Sequence, residues 1–440
     1  MKNKKTGLET RLVATLLLTR VIDDTRNLDA LCDRQHGLSR FLKLAPRDQG
    51  LARAIAITSV RKHNQIEAVL KHLMDRPPPK RARFLIHSLH VAASQILFLE
   101  APDSAAVDLA VTAIGNDERT SRFRGMSNAV LRRMVREKEK LLEKTSQTSP
   151  LPKWMEKELR KDFGKEKAAS VSKFIALEPM VDLTVKVDPQ MWAEKLGGFV
   201  LPTGSVRLTN TTNITELDGY ETGEWWVQDA AAALPAKLIN QDKGLNVLEL
   251  CAAPGGKTAQ LAHAGYNVTA VDISSPRLAR LQQNLDRLKL NAKLIEADIL
   301  EFEPEEAFDA ILLDAPCSST GTIRRHPDVL WTKNKDEVTA LAKLQFELLK
   351  KAKDFLKPSG TFVFSNCSML KEEGEDLLSK VSKQFVDLQS DPIKPEEISG
   401  LETCINGQGA LRTLPFHLSH EEHDKFSGLD GFFACRFIKR

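Results

Sequence analysis

From Asn246 onward, short apolar segments alternate with segments of helical periodicity. The predicted strands are 247–251, 268–273, 294–297, 310–313 and 361–364, and helices are predicted to begin near Thr258, Pro276 and Leu341. Strands that alternate with helices of about 10 to 15 residues are typical of a parallel, doubly wound α/β sheet. No long helix precedes the last apolar segment, 432–438, which favours an antiparallel edge strand there.

The first third of the chain has a different pattern, because apolar residues recur at helical spacing throughout residues 7–143. The predicted helices are a first amphipathic helix around 12–18, a long helix from Pro46 to Leu73 that the prolines at 77–79 terminate, and helices at 84–99, 104–114 and 127–142. We therefore predict an all-α bundle over residues 1–144.

The polar, proline-bearing stretch 145–152 is typical of a linker. A helix-like segment at 153–177 and a strand-like segment at 181–187 follow it. We predict a small α+β subdomain at 150–225 and the sheet domain at 226–440. This division agrees with 440 residues at roughly 150 residues per domain.

Charge is distributed unevenly along the chain. The whole sequence has a net charge of only +4, but residues 1–150 carry 27 basic and 16 acidic residues, a net +11, and the remainder carries −7. Such asymmetry predicts that the helical domain binds a polyanion such as a nucleic acid.

The cysteines and the hydropathy indicate the compartment. Six cysteines without a CxxC pair indicate neither a disulfide framework nor a zinc site, so we expect no metal and a reducing, cytoplasmic environment. The apolar stretch near the N-terminus is too short to span a bilayer, and no run of 18 apolar residues occurs elsewhere. We therefore expect no membrane association.

Small and acidic residues follow the predicted strands of the sheet domain. The first strand leads into the turn 251–258, and Asp272, Asp298 and Asp314 end later strands. Ligands of open α/β sheets bind at the carboxyl ends of strands, where an acid such as Asp272 accepts hydrogen bonds from ribose hydroxyls. The G-x-G-x-x-G fingerprint is absent, which disfavours a nicotinamide dehydrogenase and favours a nucleoside cofactor without a pyrophosphate.

Two cysteines follow neighbouring strands of the same sheet. Cys317 comes shortly after the fourth strand and Cys367 after the fifth. A buried cysteine is usually only a small hydrophobe. Two of them at equivalent strand ends beside a nucleoside site instead indicate a thiolate nucleophile with a second thiol that acts as an acid or a base.

These motifs resemble those of a known family. The loop Ala253-Pro-Gly-Gly-Lys257, Asp314-Ala-Pro-Cys317 and Cys367-Ser368 resemble the S-adenosylmethionine-dependent RNA (cytosine-5) methyltransferases, the NOL/NOP/Sun family. Further similar segments are 228–230, 272–278, 320–328 and 430–433, and the helical first third, with 105–107 and 127–132, is similar to the NusB-type RNA-binding domain. The resemblance implies a Rossmann-like methyltransferase core behind a NusB-like bundle.

The resemblance also implies roles for the reactive residues. Cys367 would attack C6 of a cytosine, and Cys317 would assist the elimination that releases the 5-methylated base. Asp314 would hydrogen-bond the cytosine edge near N3 while lying close to the cofactor. DNA cytosine-5 methyltransferases use a single Pro-Cys nucleophile, so the presence of both cysteines favours RNA.

For S-adenosylmethionine, the resemblance implies a binding loop and three further side chains. Asp272 would bind the ribose hydroxyls and Asp298 the adenine amino edge, with Arg277 nearby. Lys257 would neutralise either the methionine carboxylate or Asp314. The residues that would wrap the methionine and sugar portion are Cys251, Ala252, Ala253, Pro254, Gly255, Gly256 and Lys257.

The chain departs from the family pattern at two places. Asn366 stands where the family usually has Thr before the nucleophile, and we expect it to tune backbone or base contacts without abolishing activity. The family's Arg-Val-Asn reads Lys186-Val187-Asp188, which puts an RNA contact there in doubt.

The implied substrate is one cytosine of 16S ribosomal RNA, in a single-stranded or locally opened segment, because the base must leave its stack. We expect the basic segment 71–83 to contact phosphate, Arg324, Arg325 and His326 to meet RNA beside the target base, and the protein to be a monomer. A transfer or messenger RNA substrate is one alternative. An RNA-binding antitermination or assembly factor with an inactive methyltransferase domain is another.

Overall fold

A computed structural model describes residues 6–210, 213–239, 242–420 and 423–440. The chain forms two compact units. Unit 1 comprises Met1–Lys157 together with His326–Asn334, and unit 2 comprises Glu158–Arg325 together with Lys335–Arg440. None of the helices among the described residues combines the length and the apolar character that a membrane span requires.

Unit 1 is helical. Its helices are α1 (Leu8–Ile22), α2 (Leu28–Leu31), α3 (Ser39–Leu42), α4 (Pro46–Arg61), α5 (His63–Leu73), α6 (Arg83–Phe98), α7 (Asp103–Asn116), α8 (Arg124–Arg136) and α9 (Lys138–Thr145). Helix α6 is buried along most of its length, and α1, α4, α7 and α8 pack around it. The predicted all-α bundle is confirmed.

The single helix predicted from Pro46 to Leu73 is wrong. Two helices, α4 and α5, occupy this range and are separated at Lys62, whose backbone (φ −98°, ψ 14°) leaves the α-helical region. Both helices keep their apolar residues at helical spacing, so the bend leaves no trace in the periodicity. The prolines at 77–79 lie between α5 and α6, as predicted.

A short segment that follows the Cys317 loop in sequence belongs to unit 1. This segment contains α15 (Val329–Thr332). The carboxylate of Asp328 accepts the backbone N–H of Leu28 at 2.9 Å. The indole N–H of Trp331 donates to the carbonyl of Val60 at 3.1 Å, and its ring contacts that of His63. These buried hydrogen bonds make residues 326–334 an integral part of the helical unit.

Unit 2 contains a small antiparallel sheet near its beginning. Helix α10 (Lys153–Ile175), which is interrupted at Gly164, precedes β1 (Asp182–Val185), α11 (Pro189–Leu196), β2 (Gly198–Val200), β3 (Val206–Leu208) and β4 (Trp225–Val227). The strand order is β2-β3-β1-β4. Trp192, Leu183 and Trp225 form part of its core.

The larger sheet of unit 2 has the strand order β10-β12-β9-β8-β5-β6-β7. Its elements are α12 (Leu234–Lys237), β5 (Asn246–Leu250), α13 (Gly256–Ala264), β6 (Asn267–Asp272), α14 (Ser275–Leu288), β7 (Lys293–Glu296), β8 (Phe308–Asp314), α16 (Lys335–Ala352), β9 (Leu356–Asn366), α17 (Glu375–Gln384), β10 (Leu388–Ser390), β11 (Leu411–Arg412) and β12 (Phe433–Lys439). Strands β5 to β9 are parallel, which confirms the predicted α/β sheet.

The last strand is antiparallel, but it does not form the edge of the sheet. Strand β12 pairs with β9 on one side and with β10 on the other. The prediction of an edge strand is therefore wrong. The sequence did not reveal β10, because a strand of only three residues has no recognisable period.

Apolar clusters cover both faces of the sheet, which explains why its strands are continuously hydrophobic. In β8, Ala310 and Leu312 face one cluster, whereas Ile311 and Leu313 face the other. Because β6, β5, β8 and β9 are adjacent and parallel, their carboxyl ends lie side by side, and the loops that follow them lie at one edge of the sheet.

Candidate active site

The turn after β5 needs unusual backbone conformations. Cys251 has φ 60° and Gly255 has φ 99°, immediately before α13 begins at Gly256. A Cβ atom on Gly255 would lie 2.6 Å from Cγ of Leu281, so a larger residue has no room there. The turn is thus held close against α14, with backbone N–H groups at the start of a helix.

Asp272 and Arg277 hold this turn in place. The carboxylate of Asp272, which is only 2% exposed, accepts the N–H of Ala253 at 3.1 Å and that of Ser274 at 3.0 Å. The guanidinium of Arg277 donates to the carbonyl of Ala253 and lies 3.6 Å from Asp272. Both predicted cofactor residues therefore lie at the turn that follows β5.

Lys257 and Asp314 form a buried ion pair. Lys257 Nζ lies 2.7 Å from one carboxylate oxygen of Asp314, and the hydroxyl of Ser365 donates to the other at 2.8 Å. Burial alone lowers the pKa of Lys257, but the charge and hydrogen bond of Asp314 outweigh burial and raise it. Asp314, one of the two partners that the sequence left open, is thus in contact with Lys257.

The two predicted catalytic cysteines are in contact. Their sulfur atoms are 3.3 Å apart, and Cys367 Sγ also lies 3.7 Å from the hydroxyl of Ser319. The hydrogen bond from Cys317 lowers the pKa of Cys367, whereas the same bond and burial raise the pKa of Cys317. This arrangement suits a Cys367 thiolate that is stabilised by a Cys317 thiol.

Other cysteines have no such activation. Burial raises the pKa of Cys251 and of Cys404 to about 12, and burial also raises that of Cys435. These thiols stay protonated at neutral pH and act as small apolar groups. Among the cysteines that the structure describes in unit 2, Cys367 alone has a lowered pKa.

The structure contradicts the expectation that Arg324 contacts RNA, and it places Arg325 in a network of ion pairs. Arg324 is 1% exposed and donates to the carbonyl of Ser427. Arg325 is paired with Asp229 at 2.5 Å and with Asp430 at 3.2 Å. Arg324 is therefore structural, and Arg325, whose side chain is 21% exposed, is already paired with buried carboxylates.

His326, the third member of that expectation, belongs to unit 1. Its Nδ1 atom lies 2.8 Å from a carboxylate oxygen of Asp29.

The basic side chains of the segment 71–83 lie at the surface. Lys71, Arg76, Lys80 and Arg81 are exposed. They remain available to a polyanion, as the sequence predicts.

The strand ends also fit an aromatic base. Ile273, which follows Asp272, is 67% exposed, although it is a large apolar residue. Asp298, after β7, is partly buried and accepts the N–H of Leu300 at 2.9 Å. An exposed apolar side chain after β6 and carboxylates at the ends of the neighbouring strands β6 and β7 suit a nucleoside, whose base is flat and whose sugar carries hydroxyls.

Sequence reasoning missed three residues of this region. Ser365 orients Asp314, Glu249 lies buried on β5, and the carboxylate of Glu373 bonds to the loop that follows Cys317. Glu249 is recognisable in the sequence as one acid inside an otherwise apolar strand. Ser365 and Glu373 have no such signal, because their partners are distant in sequence.

Comparisons with known proteins agree with both units. The model of the 16S rRNA methyltransferase RsmB/F family matches residues 236–438, and that of the NusB family matches residues 8–136. The proteins named ribosomal RNA small subunit methyltransferase B from Xanthomonas campestris and Cronobacter sakazakii are 33% and 30% identical to this chain. The first alignment covers 88% of this chain and 90% of the relative, and the second covers 99% and 100%.

Solved structures add support for the fold. A methyltransferase homolog protein from Pyrococcus horikoshii is 27% identical, with a TM-score of 0.53 over 64% of this chain and 94% of that one. NSun6 from the same organism, solved with SFG, is 19% identical, with a TM-score of 0.54 over 66% and 98%. Together, the fold, the paired cysteines and the full-length similarity show that the chain belongs to the ribosomal RNA small subunit methyltransferase B family.

Proposed function

We propose that this protein transfers a methyl group from S-adenosylmethionine to C5 of one cytosine in 16S ribosomal RNA. The observation that carries the proposal is the contact between Cys317 and Cys367 at 3.3 Å. The ion pair of Lys257 with Asp314 lies at the same edge of the sheet, and the charges of both groups act on the thiol of Cys367. The names of the curated relatives support the ribosomal substrate.

The chain's residues fit the cofactor, which supplies the methyl group on a sulfonium. The turn 251–257 would hold its methionine and sugar portion, since backbone N–H groups and small side chains allow close approach. Asp272 would accept hydrogen bonds from the ribose, and Asp298 would bind the adenine amino group. Arg277 would act mainly by holding the turn through the carbonyl of Ala253.

The covalent step uses the Cys367 thiolate. Its sulfur forms a bond to C6 of cytosine, and the electrons of the C5–C6 double bond make C5 nucleophilic. Asp314 would hydrogen-bond the base near N3, and Lys257 would stabilise that carboxylate. This assignment agrees with the lowered pKa of Cys367, which its hydrogen bond with Cys317 causes.

Release requires the reverse electron movement. Once C5 is methylated, transfer of its proton to a water molecule returns the electron pair to the C5–C6 bond and expels the Cys367 thiolate. The Cys317 thiol would donate a hydrogen bond to the departing sulfur, which is 3.3 Å away in the free protein. A thiol whose pKa is raised by that hydrogen bond and by burial is suited to this role.

The target cytosine must be extruded from its stack to reach these strand ends. The protein has only two tyrosines, so phosphate contacts are a larger source of affinity than stacking. We assign these contacts to the exposed bases of the segment 71–83 in the helical unit.

The two cysteines separate the steps experimentally. We expect Cys317→Ala to accumulate a covalent protein–RNA adduct in the presence of S-adenosylmethionine, because attack proceeds and release is slowed. Cys367→Ala should form none, because the nucleophile is missing. Denaturing gels with labelled 16S RNA measure both. An adduct with the Cys367 variant would contradict the assigned roles.

The identity of the RNA has its own test. Bisulfite sequencing of total RNA from cells with and without the gene should show one protected cytosine in 16S ribosomal RNA that is lost with the gene. Loss of protection in a transfer or messenger RNA, with 16S RNA unchanged, would replace the substrate but not the chemistry.

A further inference from the structure

Glu373 is a fully buried acid in the turn between β9 and α17. Its carboxylate accepts three neutral donors. The backbone N–H of Ser318 lies at 2.8 Å, the hydroxyl of the same residue at 2.5 Å, and the side-chain amide of Gln345 at 3.0 Å. Ser318 is the residue directly after Cys317, so the carboxylate holds one of the two cysteine loops.

The backbone of Glu373 holds the other cysteine loop. Its carbonyl accepts the side-chain amide N–H of Asn366 at 2.6 Å, and the Asn366 oxygen accepts the N–H of Ser368 at 3.0 Å. Asn366 and Ser368 are the two neighbours of Cys367. Glu373 therefore bonds to the immediate surroundings of both sulfur atoms.

Further hydrogen bonds connect the same two loops. The hydroxyls of Ser318, Thr320 and Ser368 lie 3.2 Å from one another in each pair, and all three residues are buried. Gln345 donates to the carbonyl of Pro316 at 2.9 Å, on the other side of Cys317. A buried network of this kind permits one arrangement of its members and resists others.

We propose that Glu373 is a positioning residue of the methyl transfer, which fixes the separation of Cys317 and Cys367. The inference rests on the proposed function, in which Cys317 stabilises the Cys367 thiolate during attack and release. It adds a residue that touches neither sulfur but determines how far apart they are. Hydrogen bonds to a charged acceptor are stronger than those to a neutral one, which suits a carboxylate to this task.

The negative charge of Glu373 and its positioning role affect the pKa values of two different thiols. The hydrogen bond with Cys367 and burial raise the pKa of Cys317, and the negative charge of Glu373 raises it further. Removing that charge by itself would lower the pKa of Cys317. Separating the two sulfur atoms would instead raise the pKa of Cys367, because its thiolate would lose a donor. The charge of Glu373 therefore acts on the pKa of Cys317, whereas its positioning role acts on the pKa of Cys367, and alkylation of Cys367 reports the second.

Glu373→Gln tests the proposal in the full chain. Alkylation of Cys367 by iodoacetamide, followed across pH by peptide mass spectrometry, should have its inflection at least about one pH unit higher in the variant. Methyl transfer should fall about tenfold or more in kcat, with KM for S-adenosylmethionine within about twofold, because misplaced reacting groups slow the chemical step. An unchanged or lowered inflection would overturn the proposal.

Glu372→Gln is the matched control. This adjacent acid pairs with Lys335 and accepts the hydroxyl of Thr339. It should keep the wild-type alkylation profile and kcat. An equal upward shift in the control would also overturn the proposal, because the effect would then belong to the turn and not to the carboxylate of Glu373.

Two further measurements keep the outcome decisive. If thermal unfolding shows that Glu373→Gln does not fold, Ser318→Ala replaces it. That variant removes one hydroxyl of the network and should shift the inflection upward by a smaller amount, and no shift would overturn the proposal. Alkylation needs neither RNA nor cofactor. A wild-type protein that methylates no RNA would refute the proposed function, while the alkylation profiles would still decide the role of Glu373.

Discussion

At the scale of single residues, the acids near the site of unit 2 have different partners. Glu373 holds two loops, Asp314 pairs with Lys257, and Glu249 lies on β5 with one carboxyl oxygen that is buried without a hydrogen-bond partner. Burial raises the pKa of Glu249 to about 8. Its carboxyl group is therefore neutral at pH 7, although it is surrounded by the charged groups of the site.

Glu249→Gln should remove a pH dependence of stability. The pKa of Glu249 in the folded state lies above its value in the unfolded state. Its contribution to the free energy of unfolding is therefore fully present below about pH 4.5 and falls as pH rises towards 8, by about 1.4 kcal/mol per pH unit. We expect the variant to gain stability over the wild type at pH 8 and little at pH 5, measured by urea unfolding. The exposed Glu296→Gln, at the end of β7, is the control and should change neither value. Equal gains at both pH values would contradict the prediction.

At the scale of elements, close backbone contacts determine where the loops lie. The N–H of Gly321 donates to the carbonyl of Cys367 at 2.9 Å, and its own carbonyl accepts the N–H of Gly431. A Cβ atom on Gly321 would lie only 1.7 Å from the carbonyl oxygen of Gly431. The loop after β8 can therefore approach the segment before β12 only with glycine at this position.

Gly321→Ala should destabilise unit 2 by about 1–3 kcal/mol or more, because the overpacked loop must shift. The shift should also reduce adduct formation at Cys367, whose carbonyl bonds to the same residue. Gly407→Ala is a suitable control, since a Cβ atom there meets no atom within 4 Å. Thermal unfolding and gel assays of the adduct measure the two effects. A Gly321 variant as stable as the control would show that the backbone adapts freely.

At the scale of the whole molecule, the two units differ in charge and in the titratable groups that they bury. The basic charge lies in the helical first third, and the acids of the remainder include Asp272 and Asp314 of the site. Unit 1 also buries histidines. Burial lowers the pKa of His63 well below its usual value and that of His87 to about 3. Asp23 lies 3.0 Å from His87, but Arg83 pairs with the same carboxylate.

Unit 1 should consequently lose stability in acid. His87 is neutral in the folded protein, so its contribution to the free energy of unfolding is fully present above about pH 6.5 and falls as pH decreases towards 3. The loss at pH 5 is roughly 2 kcal/mol. His87→Gln should reduce this loss. His36→Gln, at a side chain that is 77% exposed, should not. Urea unfolding at pH 7 and pH 5 compares them, and identical losses in the wild type and the His87 variant would refute the assignment.

The sequence by itself determined the classes of structure and the chemistry. Helical and strand periods are local, so they predicted the helical bundle and the parallel sheet, and the motifs around Cys317 and Cys367 predicted the reaction proposed here. Only the tertiary structure decided the break at Lys62, the burial of Arg324, the ion pair of Lys257 with Asp314 and the hydrogen bonds of Glu373. The physical reason is the same in each case. A residue's type shows which bonds it can form, but its actual partner lies far along the chain and is fixed only when the elements pack together.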